Sequence, residues 1–263
     1  MKFIHISDIH YRLNYPSVAS SYKAFLTSLS DPLNHLKDIA KIAKNEAVDG
    51  ILITGDLVDD GTREDYELLK NYFNSYFKDF LIIMGPGNHD DIPTFQSVLF
   101  NGTMTHKTHL HQRHELEDFI IVYFDNTYNK SYTGAIEDSQ YNWLEKTLNN
   151  ANKPVLLLTH HHLIKTQAQI PSVKTTHPIE SLIDRSNIIG ILCGHTHHAY
   201  QSTYGNKMYS TGPSLSFRGI KDPQGNIQFE EHPGYQIITI SDQKMTISTH
   251  YLYAKAKPLS PPK

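Results

Sequence analysis

Five short motifs rich in carboxylate, imidazole and amide side chains are the part of this sequence best suited to chemistry. They occupy residues 8–10, 55–59, 87–90, 159–162 and 194–197. Such oxygen and nitrogen donors are the ligands that first-row divalent metals accept. Residues i and i+2 of an extended segment point the same way. The D-x-H and H-x-H spacings therefore predict pairs of ligands that reach one ion.

The number of donors predicts two metal ions. The candidate ligands are Asp8, His10, Asp56, Asn88, His160, His195 and His197. They are too many for one four-coordinate site. They suit two ions that share Asp56, because a carboxylate has two oxygens and can bridge. Gly55, Gly87 and Gly194 stand beside these donors and would permit backbone conformations and close approaches that other residues disfavour.

Each motif by itself also has a structural interpretation. Residues 87–90 have the composition of a turn, Asp56 alone could be a helix N-cap, and residues 160–162 could be a surface histidine run. The combination favours a functional site. A chain with 17 histidines in 263 residues would rarely place donor clusters after five different strand-like runs by coincidence.

The motifs follow short apolar runs that are typical of buried strands. The apolar runs are residues 3–6, 50–53, 80–84, 119–124, 155–158 and 188–192. Runs of this length bounded by turn residues indicate strands buried on both faces. Ligands bind beyond the carboxyl ends of strands in α/β sheets. The motifs are therefore expected to meet in one crevice.

Three stretches between these runs repeat apolar residues at helical spacing. Their apolar stripes are Leu33, Leu36, Ile39, Ala40 and Ala43, then Tyr66, Leu69, Tyr72 and Phe73, then Tyr141, Trp143, Leu144 and Leu148. Strands that alternate with helices favour βαβ units and a layered α/β fold. After Gly194, residues 207–210, 234–240 and 244–252 predict antiparallel strands and hairpins that complete a second sheet.

The chain shows no internal repeat and no long linker, and its length of 263 residues fits one α/β domain. This domain is expected to span residues 1–256. Residues 257–263 read KPLSPPK. We expect this segment to be a disordered tail, because it has few groups that can pair or pack.

Composition argues against several classes of protein. With 24 Lys+Arg, 27 Asp+Glu and a net charge of −3, the chain is neither a typical disordered protein nor a duplex nucleic-acid binder. Cys193 is the single cysteine, which excludes a disulfide framework within the chain and a zinc site with two thiolates. Its place at the end of an apolar run predicts a packed thiol.

The apolar runs are all shorter than the roughly 18 residues that a membrane-spanning helix needs. The first residues reach the carboxylate of Asp8 too early for a signal peptide. A cytoplasmic protein without a membrane span is therefore expected. The 16 tyrosines leave a homo-oligomer open, because tyrosine is enriched in subunit contacts.

The ordered motifs D-x-H, G-D-x-x-D, G-N-H-D, H and G-H-x-H resemble those of the calcineurin-like metallophosphoesterase superfamily. The resemblance extends from Asp8 to His197. Residues 86–91 (PGNHDD), 139–144 (SQYNWL) and 233–235 (PGY) are further similar to the class III cyclic-nucleotide phosphodiesterase branch, which includes bacterial cyclic AMP phosphodiesterases and glycerophosphodiesterases.

This resemblance implies a two-sheet β-sandwich flanked by helices, an αββα fold, with a two-metal centre of manganese, iron or zinc. It places Asp8, His10 and His197 on the first ion and Asn88, His160 and His195 on the second, with Asp56 bridging them. His89 would face the scissile phosphate. Asp59 and Asp90 would support the site, and Asp90 would orient the His89 ring.

The run of three histidines leaves the register of one ligand open. Many relatives read His-His-Pro-Pro where this chain reads His160-His161-His162-Leu163. His160 directly follows the strand and is the first choice as ligand. His161 is the second.

The implied activity is hydrolysis of a small phosphodiester, either a 3′,5′-cyclic nucleotide or a glycerophosphodiester, by a hydroxide that bridges the two ions. His89 would stabilise the phosphorane or protonate the leaving group. The alternatives are a nuclease, a nucleotide-sugar pyrophosphatase, a phosphomonoesterase, or a non-catalytic metal-binding scaffold.

Three further features leave their roles open. Arg12 and Arg218 are either phosphate contacts or ordinary surface arginines. The histidine-rich segment 101–114 is either a lid, an extra metal-affinity patch or a flexible loop.

Overall fold

Two β-sheets face each other in the computed structural model, which describes residues 1–15, 21–100, 109–165, 167 and 170–260. The strands, numbered in chain order, are β1 Lys2–Ile6, β2 Gly50–Thr54, β3 Leu81–Gly85, β4 Gln112–Glu115, β5 Ile120–Tyr123, β6 Val155–Leu158, β7 Ile188–Cys193, β8 Tyr200–Tyr204, β9 Lys207–Thr211, β10 Phe217–Lys221, β11 Ile227–Glu231, β12 Gly234–Ser241, β13 Lys244–Tyr251 and β14 Lys257–Pro258. The helices are α1 Ser21–Leu26, α2 Pro32–Asn45, α3 Arg63–Tyr76, α4 Ile92–Leu99, α5 Asp138–Asn149 and α6 Ile179–Asp184.

The first sheet has the strand order β13-β12-β1-β2-β3. Strands β1, β2 and β3 are parallel, with Ile6 beside Ile53 and Ile53 beside Met84. Strand β12 runs antiparallel to β1. All residues of β2 are buried. This explains its nearly continuous apolar run, because a strand covered on both faces has no polar side to show to water. The carboxyl ends of three parallel strands therefore lie side by side.

The second sheet has the order β4-β5-β6-β7-β9-β8. Its four inner strands are parallel, and the edge strands β4 and β8 are antiparallel to their neighbours. Two of the inner strands, β6 and β7, are those that precede the histidine motifs. The carboxyl ends of these two strands are therefore neighbours as well.

The main core lies between the sheets. Phe3 and Leu52 of the first sheet belong to one buried cluster with Tyr123 and Leu156 of the second. Helices α2, α3 and α4 share a separate apolar core with one sheet, and helices α5 and α6 share one with the other. The helix–sheet–sheet–helix arrangement confirms the predicted αββα class. Within the described residues, no helix has the length and apolarity that crossing a bilayer requires.

Side chains at the helix starts satisfy backbone N–H groups that have no partner inside the helix. Asp31 accepts a hydrogen bond from Leu33 N at the start of α2. Thr62 and Asp65 form a capping box at α3. Asp91 accepts from Thr94 N at α4. These caps define where each helix begins after its loop.

The predicted runs correspond to strands β1, β2, β3, β5, β6, β7, β9, β12 and β13, and the three apolar stripes lie on α2, α3 and α5. After Gly194 the predicted antiparallel hairpins are present as β8–β9, β10–β11 and β12–β13, but only β8 and β9 belong to the second sheet. Strands β12 and β13 join the first sheet, and β10, β11 and β14 form a third, small sheet. Strand β9 is antiparallel to β8, as predicted, and parallel to β7 on its other side. Pairing depends on packing between distant segments, which local spacing does not encode.

The chain beyond residue 256 is more ordered than its composition predicts. Glu231 of β11 pairs with Lys257, and Glu230 pairs with Pro258. Leu259 is buried with Leu26 and Phe217. The expectation that this segment neither pairs nor packs is therefore wrong for residues 257–259. Residues 261–263 lie outside the described residues.

Candidate metal centre

The loops that follow β1, β2, β3, β6 and β7 converge at one edge of the sandwich. Asp8 N donates to Gly55 O and His10 N donates to Asp56 O, each at 3.0 Å, which joins the first two loops. Gly194 N donates to His160 O at 3.0 Å and joins the last two. His195 N lies 3.1 Å from Asp8 Oδ2 and connects the two sheets.

The first predicted ligand group is assembled. The ligand atoms of Asp8, His10 and His197 all lie within 4.8 Å of one another. His10 Nε2 is 3.1 Å from His197 Nε2, which in turn is 3.5 Å from Asp8 Oδ1. Two ligands bound to one ion at about 2.0–2.2 Å are separated by about 3 Å or slightly more. These distances fit a single ion.

Asp56 lies between this group and the second one. Its Oδ2 atom is 3.6 Å from His10 Nε2 and 3.3 Å from His160 Nε2. His160 Nε2 is in turn 3.1 Å from Asn88 Oδ1. One carboxylate therefore reaches donors of both groups, which is the placement expected of a bridging ligand.

Backbone oxygens orient two of the imidazoles. His160 Nδ1 lies 2.7 Å from Thr54 O, and His197 Nδ1 lies 2.7 Å from Phe217 O. A carbonyl oxygen can only accept a hydrogen bond, so Nδ1 carries a hydrogen in both rings and Nε2 holds the lone pair whenever the ring is neutral. Both Nε2 atoms face the predicted ions. Burial keeps the His197 imidazole neutral by lowering its pKa. Burial also acts to lower the pKa of His160, but Asp56 outweighs it and raises that pKa to about 9, so an ion bound at His160 would replace a proton.

His195 supplies an independent test of whether the residues fit metal ions. Its Nε2 atom is buried and has no hydrogen-bond partner among the described residues. A buried polar atom without a partner is unfavourable. A metal ion bound there would satisfy it. The donor set and this atom together fit a two-metal centre.

Five of the seven predicted ligands have left-handed backbone conformations. The φ values are 54° at Asp8, 48° at His10, 51° at Asp56, 73° at His195 and 60° at His197. Positive φ is uncommon outside glycine and concentrates at functional sites. The extended geometry assumed from the D-x-H and H-x-H spacings is therefore wrong, although the paired side chains do converge.

The three predicted glycines have different roles. Gly55 has a φ of 91°, which side-chain-bearing residues rarely adopt. A Cβ atom on Gly87 would overlap the Asp56 carboxylate, and one on Gly194 would overlap the Ser7 hydroxyl. Close approach therefore explains these two glycines.

Burial and charge set the protonation of the carboxylates and imidazoles. Burial raises the pKa of Asp8 to about 6, although His160 opposes the shift. Burial also acts to raise the pKa of Asp56, but His160 and His89 outweigh it and hold that pKa well below its usual value. Burial lowers the pKa of His195 and His197 well below the usual value. Neutral imidazoles beside an ionised carboxylate favour a bound cation.

His89 lies at the rim of the centre. Its Nδ1 is 3.1 Å from Asp59 Oδ1, its backbone N donates to Asp56 Oδ1 at 2.8 Å, and its ring meets the His10 ring edge to face. Burial lowers its pKa, but Asp56, Asp59 and Asp60 outweigh this and raise the pKa to about 9. The three neighbouring carboxylates therefore favour the protonated form of His89.

Asp90 does not have the position that the resemblance implies. Its carboxylate accepts hydrogen bonds from Leu57 N, Val58 N, Gly87 N and Tyr66 Oη. Asp59 is instead the carboxylate beside the His89 ring. The expectation that Asp90 orients His89 is wrong, because both Asp90 oxygens are used in holding the loops after β2 and β3.

The structure brings both candidate histidines to the centre. His160 contacts Asp56 and Asn88, whereas the His161 ring lies 4.4 Å from the His195 ring. Asn126 accepts from His161 N and donates to His161 O, which fixes the backbone at this residue. The contacts with Asp56 and Asn88 favour His160 as the ligand.

The structure shows the contacts of Arg12, of Arg218 and of the end of the histidine-rich segment. Arg218 pairs with Glu230, and Arg12 donates to Asp59 O at 3.0 Å. His111 stacks on Trp143 with ring centroids 4.4 Å apart. The end of the histidine-rich segment is thus packed against α5. Residues 101–108 lie outside the described residues.

Cys193 is buried, and burial raises its pKa to about 12, so it is the packed thiol that was predicted.

Sequence reasoning missed several groups that shape the centre. The hydroxyls of Ser214 and Ser216 both donate to Asp8 O, at 2.9 and 3.0 Å. Tyr132 places its ring against His195. These residues lie outside the five motifs, and no local pattern marks them.

Comparisons with known proteins give a consistent result. A family model described as calcineurin-like phosphoesterase matches residues 1–199. The probable glycerophosphodiester phosphodiesterase GpdQ of Arcobacter nitrofigilis is 28% identical over 217 residues, 78% of either protein. The 3′,5′-cyclic adenosine monophosphate phosphodiesterase CpdA of Haemophilus influenzae is 27% identical over 210 residues, 78% of this chain and 74% of CpdA. A dimetal phosphatase from Danio rerio shares the fold, with a TM-score of 0.64, 12% identity and 99% of each chain covered.

Proposed function

Because the chain belongs to the calcineurin-like phosphoesterase family and is a metal-dependent phosphodiester hydrolase, we propose that its substrate is a small phosphodiester. The two classes proposed are a 3′,5′-cyclic nucleotide and a glycerophosphodiester. The observation that carries the proposal is the position of Asp56, whose Oδ2 lies within 3.6 Å of both His10 and His160. This carboxylate connects two groups of donors in a single centre.

Two metal ions would be held by the side chains already described. Asp8, His10 and His197 would bind one ion, Asn88, His160 and His195 would bind the other, and Asp56 would bind both. When bound, such ions lower the pKa of a coordinated water and neutralise charge on phosphate oxygens. Manganese, iron and zinc all suit these oxygen and nitrogen donors.

The chain's own groups supply orientation and a proton. Thr54 O and Phe217 O hold the rings of His160 and His197 with Nε2 toward the centre. His89, with Asp59 beside its Nδ1, is positioned to donate a proton to the leaving oxygen or to stabilise charge on the phosphate. The Asp59 carboxylate keeps the imidazolium form of His89 favourable.

The relatives support this choice of substrates. One similar protein is named a glycerophosphodiester phosphodiesterase and another a cyclic AMP phosphodiesterase. The chain spans about three quarters of each. Both names describe small phosphodiesters. A glycerophosphodiester has one small organic group on each side of phosphorus, and a cyclic nucleotide has a ring that closes through the phosphorus atom. The net charge of −3 also disfavours a long polyanionic substrate.

The test is an assay of protein reconstituted with Mn²⁺ on four substrates. These are bis(p-nitrophenyl) phosphate, p-nitrophenyl phosphate, cyclic AMP and glycerophosphoethanolamine. We expect faster hydrolysis of the diester than of the monoester, and turnover of at least one of the two small natural diesters. A preference for p-nitrophenyl phosphate would contradict the proposal. Inactivity with Mn²⁺, Fe²⁺ and Zn²⁺ alike would favour a metal-binding scaffold instead.

Two properties expected from the sequence stay predictions. One is the cytoplasmic location and the other is a homo-oligomeric state. Cell fractionation tests the first, and light scattering of the metal-loaded protein tests the second.

A further inference from the structure

Tyr132 places an aromatic ring at the rim of the metal centre. Its centroid lies 5.1 Å from that of the His195 ring, and the two planes are inclined by 53°. Tyr132 is 55% exposed, whereas His195 is 5% exposed. A large aromatic side chain usually gains by burial. Here one part of the ring contacts a predicted metal ligand, and much of the rest stays open beside it.

The turn that carries Tyr132 determines where the ring lies. Asn129 and Lys130 have φ values of 47° and 54°, a conformation uncommon for such residues. Ser131 N donates to Tyr128 O at 2.7 Å and closes the turn. Thr133 N donates to Ser131 Oγ at 3.2 Å on its other side. The ring is thus positioned by a hydrogen-bonded turn, without being enclosed in the core.

The base of this loop is connected to the metal centre. Ala135 N donates to Asn126 O, and Asn126 brackets the backbone of His161 through two hydrogen bonds. Gly134 lies so close to the His161 ring that a Cβ atom there would overlap it. The loop and the histidine run are therefore packed as one unit, which carries Tyr132 to its position beside His195.

An exposed aromatic ring beside a phosphate-binding centre favours one kind of substituent. Aromatic bases stack on tyrosine through their faces, and such stacking tolerates different bases. A glycerol group is small, flexible and hydroxylated, so it gains little from the same surface. The position of Tyr132 therefore discriminates between the two substrate classes proposed above.

We propose that Tyr132 is a substrate-binding residue that stacks on the base of a 3′,5′-cyclic nucleotide whose phosphate is held at the metal centre. This inference rests on the proposed function and selects the nucleotide from its two substrate classes. Tyr132 acts on binding of the base and not on the bond that is broken. Its removal should therefore raise KM more than it lowers kcat.

The experiment compares Y132A and Y132F with the wild type, all loaded with Mn²⁺. Y132A is expected to raise the KM for cyclic AMP roughly tenfold or more, with kcat changed less than threefold. Y132F keeps the ring and should behave like the wild type. For glycerophosphoethanolamine, Y132A should change KM less than twofold. Y128A is the matched control, because Tyr128 is in the same loop and 37% exposed and, among the described residues, has no ring contact with His195.

Calorimetric titration provides a readout that does not depend on turnover. The metal-loaded wild type should bind AMP more tightly than glycerol 3-phosphate, and Y132A should remove most of this difference without changing metal content. Equal affinity of the wild type for both ligands, or binding of neither, would overturn the proposal. Equal loss of activity on every substrate together with loss of metal would also overturn it, since Tyr132 would then be a cover for His195. Failure of the wild type on all diesters, by contrast, would refute the proposed function itself.

Discussion

The ligands of the candidate centre are distinguished by their backbone as much as by their side chains. Asp8, His10 and Asp56 all have positive φ, and so do His195 and His197. Each such residue costs of the order of 1 kcal/mol or more relative to an ordinary conformation. Hydrogen bonds such as Asp8 N to Gly55 O hold the strained loops in place. The site is therefore preformed by the surrounding loops.

A single substitution also tests the role of His89. Replacing His89 by alanine should lower kcat on bis(p-nitrophenyl) phosphate by roughly 10²–10⁴, the usual contribution of a general acid. Metal content, measured by plasma mass spectrometry, should stay unchanged because His89 is outside the predicted ligand set. H250A is the control, since His250 lies on edge strand β13 and contacts Ser248. An unchanged kcat would remove His89 from the reaction.

At the scale of elements, one carboxylate joins two loops and a helix. Asp90 accepts from backbone groups of the loops after β2 and β3 and from the hydroxyl of Tyr66 in α3. This fixes the spacing between the loop that carries Asp56 and the loop that carries Asn88. The role of Asp90 is therefore to hold two strand ends at the separation that a shared site requires.

Replacing Asp90 by alanine should lower the free energy of unfolding by about 2–4 kcal/mol, because several buried donors lose their acceptor. Urea denaturation of the metal-free protein measures this. Y66F removes one of the same hydrogen bonds and should cost about 1 kcal/mol. If D90A were as stable as Y66F, the loop contacts would not have the importance assigned to them.

The elements that the sequence predicts well are those with a local signal. Strand β6 was predicted with its observed bounds, because its run Val155–Leu158 is wholly apolar. Strand β8 was missed, since its residues Tyr200–Tyr204 are mostly exposed at an edge and show little apolar pattern. The motifs of the sequence identify the seven candidate ligands, which the fold brings to one edge of the sandwich. The contact between Asp59 and His89 was not, because it joins side chains from two loops.

At the scale of the whole molecule, the centre is divided between the two sheets. Loops of the first sheet supply Asp8, His10, Asp56 and Asn88, and loops of the second supply His160, His195 and His197. Ions bound by both sets would connect the sheets at their edge. Metal binding should therefore stabilise the packing of the entire sandwich.

Saturating Mn²⁺ should raise Tm by about 5–10 °C relative to protein in EDTA. A ligand at about 100 times its Kd adds roughly 2.7 kcal/mol to the folded state, and 1 kcal/mol shifts Tm by about 2–4 °C at this size. Differential scanning calorimetry measures the shift. D56N should reduce it by at least half, because it removes the charge that both ions share. An equal shift in D56N would argue against a bridging role.

A second whole-molecule prediction concerns pH. His5 is fully buried between Gln236 and Thr54, and burial lowers its pKa to about 4 despite the hydrogen bond that its Nδ1 donates to Gln236 Oε1. The unfolded chain binds this proton near pH 6.5, before the folded protein does. The stability from this group is thus complete above pH 6.5 and is lost as the pH falls toward 4.

His5→Gln should therefore make unfolding less dependent on pH. Between pH 7 and 4.5, the metal-free variant should lose about 2 kcal/mol less of its unfolding free energy than the wild type. Urea unfolding at several pH values measures both slopes, so an overall difference in stability does not affect the comparison. Equal slopes would show that His5 does not titrate in this way.

The division of donors between the sheets also has a consequence for synthesis on the ribosome. A nascent chain that has reached residue 150 already contains Asp8, His10, Asp56 and Asn88 but none of the partner imidazoles from residues 160, 195 and 197. Such a fragment holds four of the seven candidate ligands and only one of the four histidines. Tight binding of metal ions must then wait until strand β7 and the loop after it have left the ribosome and packed against the rest of the chain. The metal content of a molecule would therefore show whether its folding is complete.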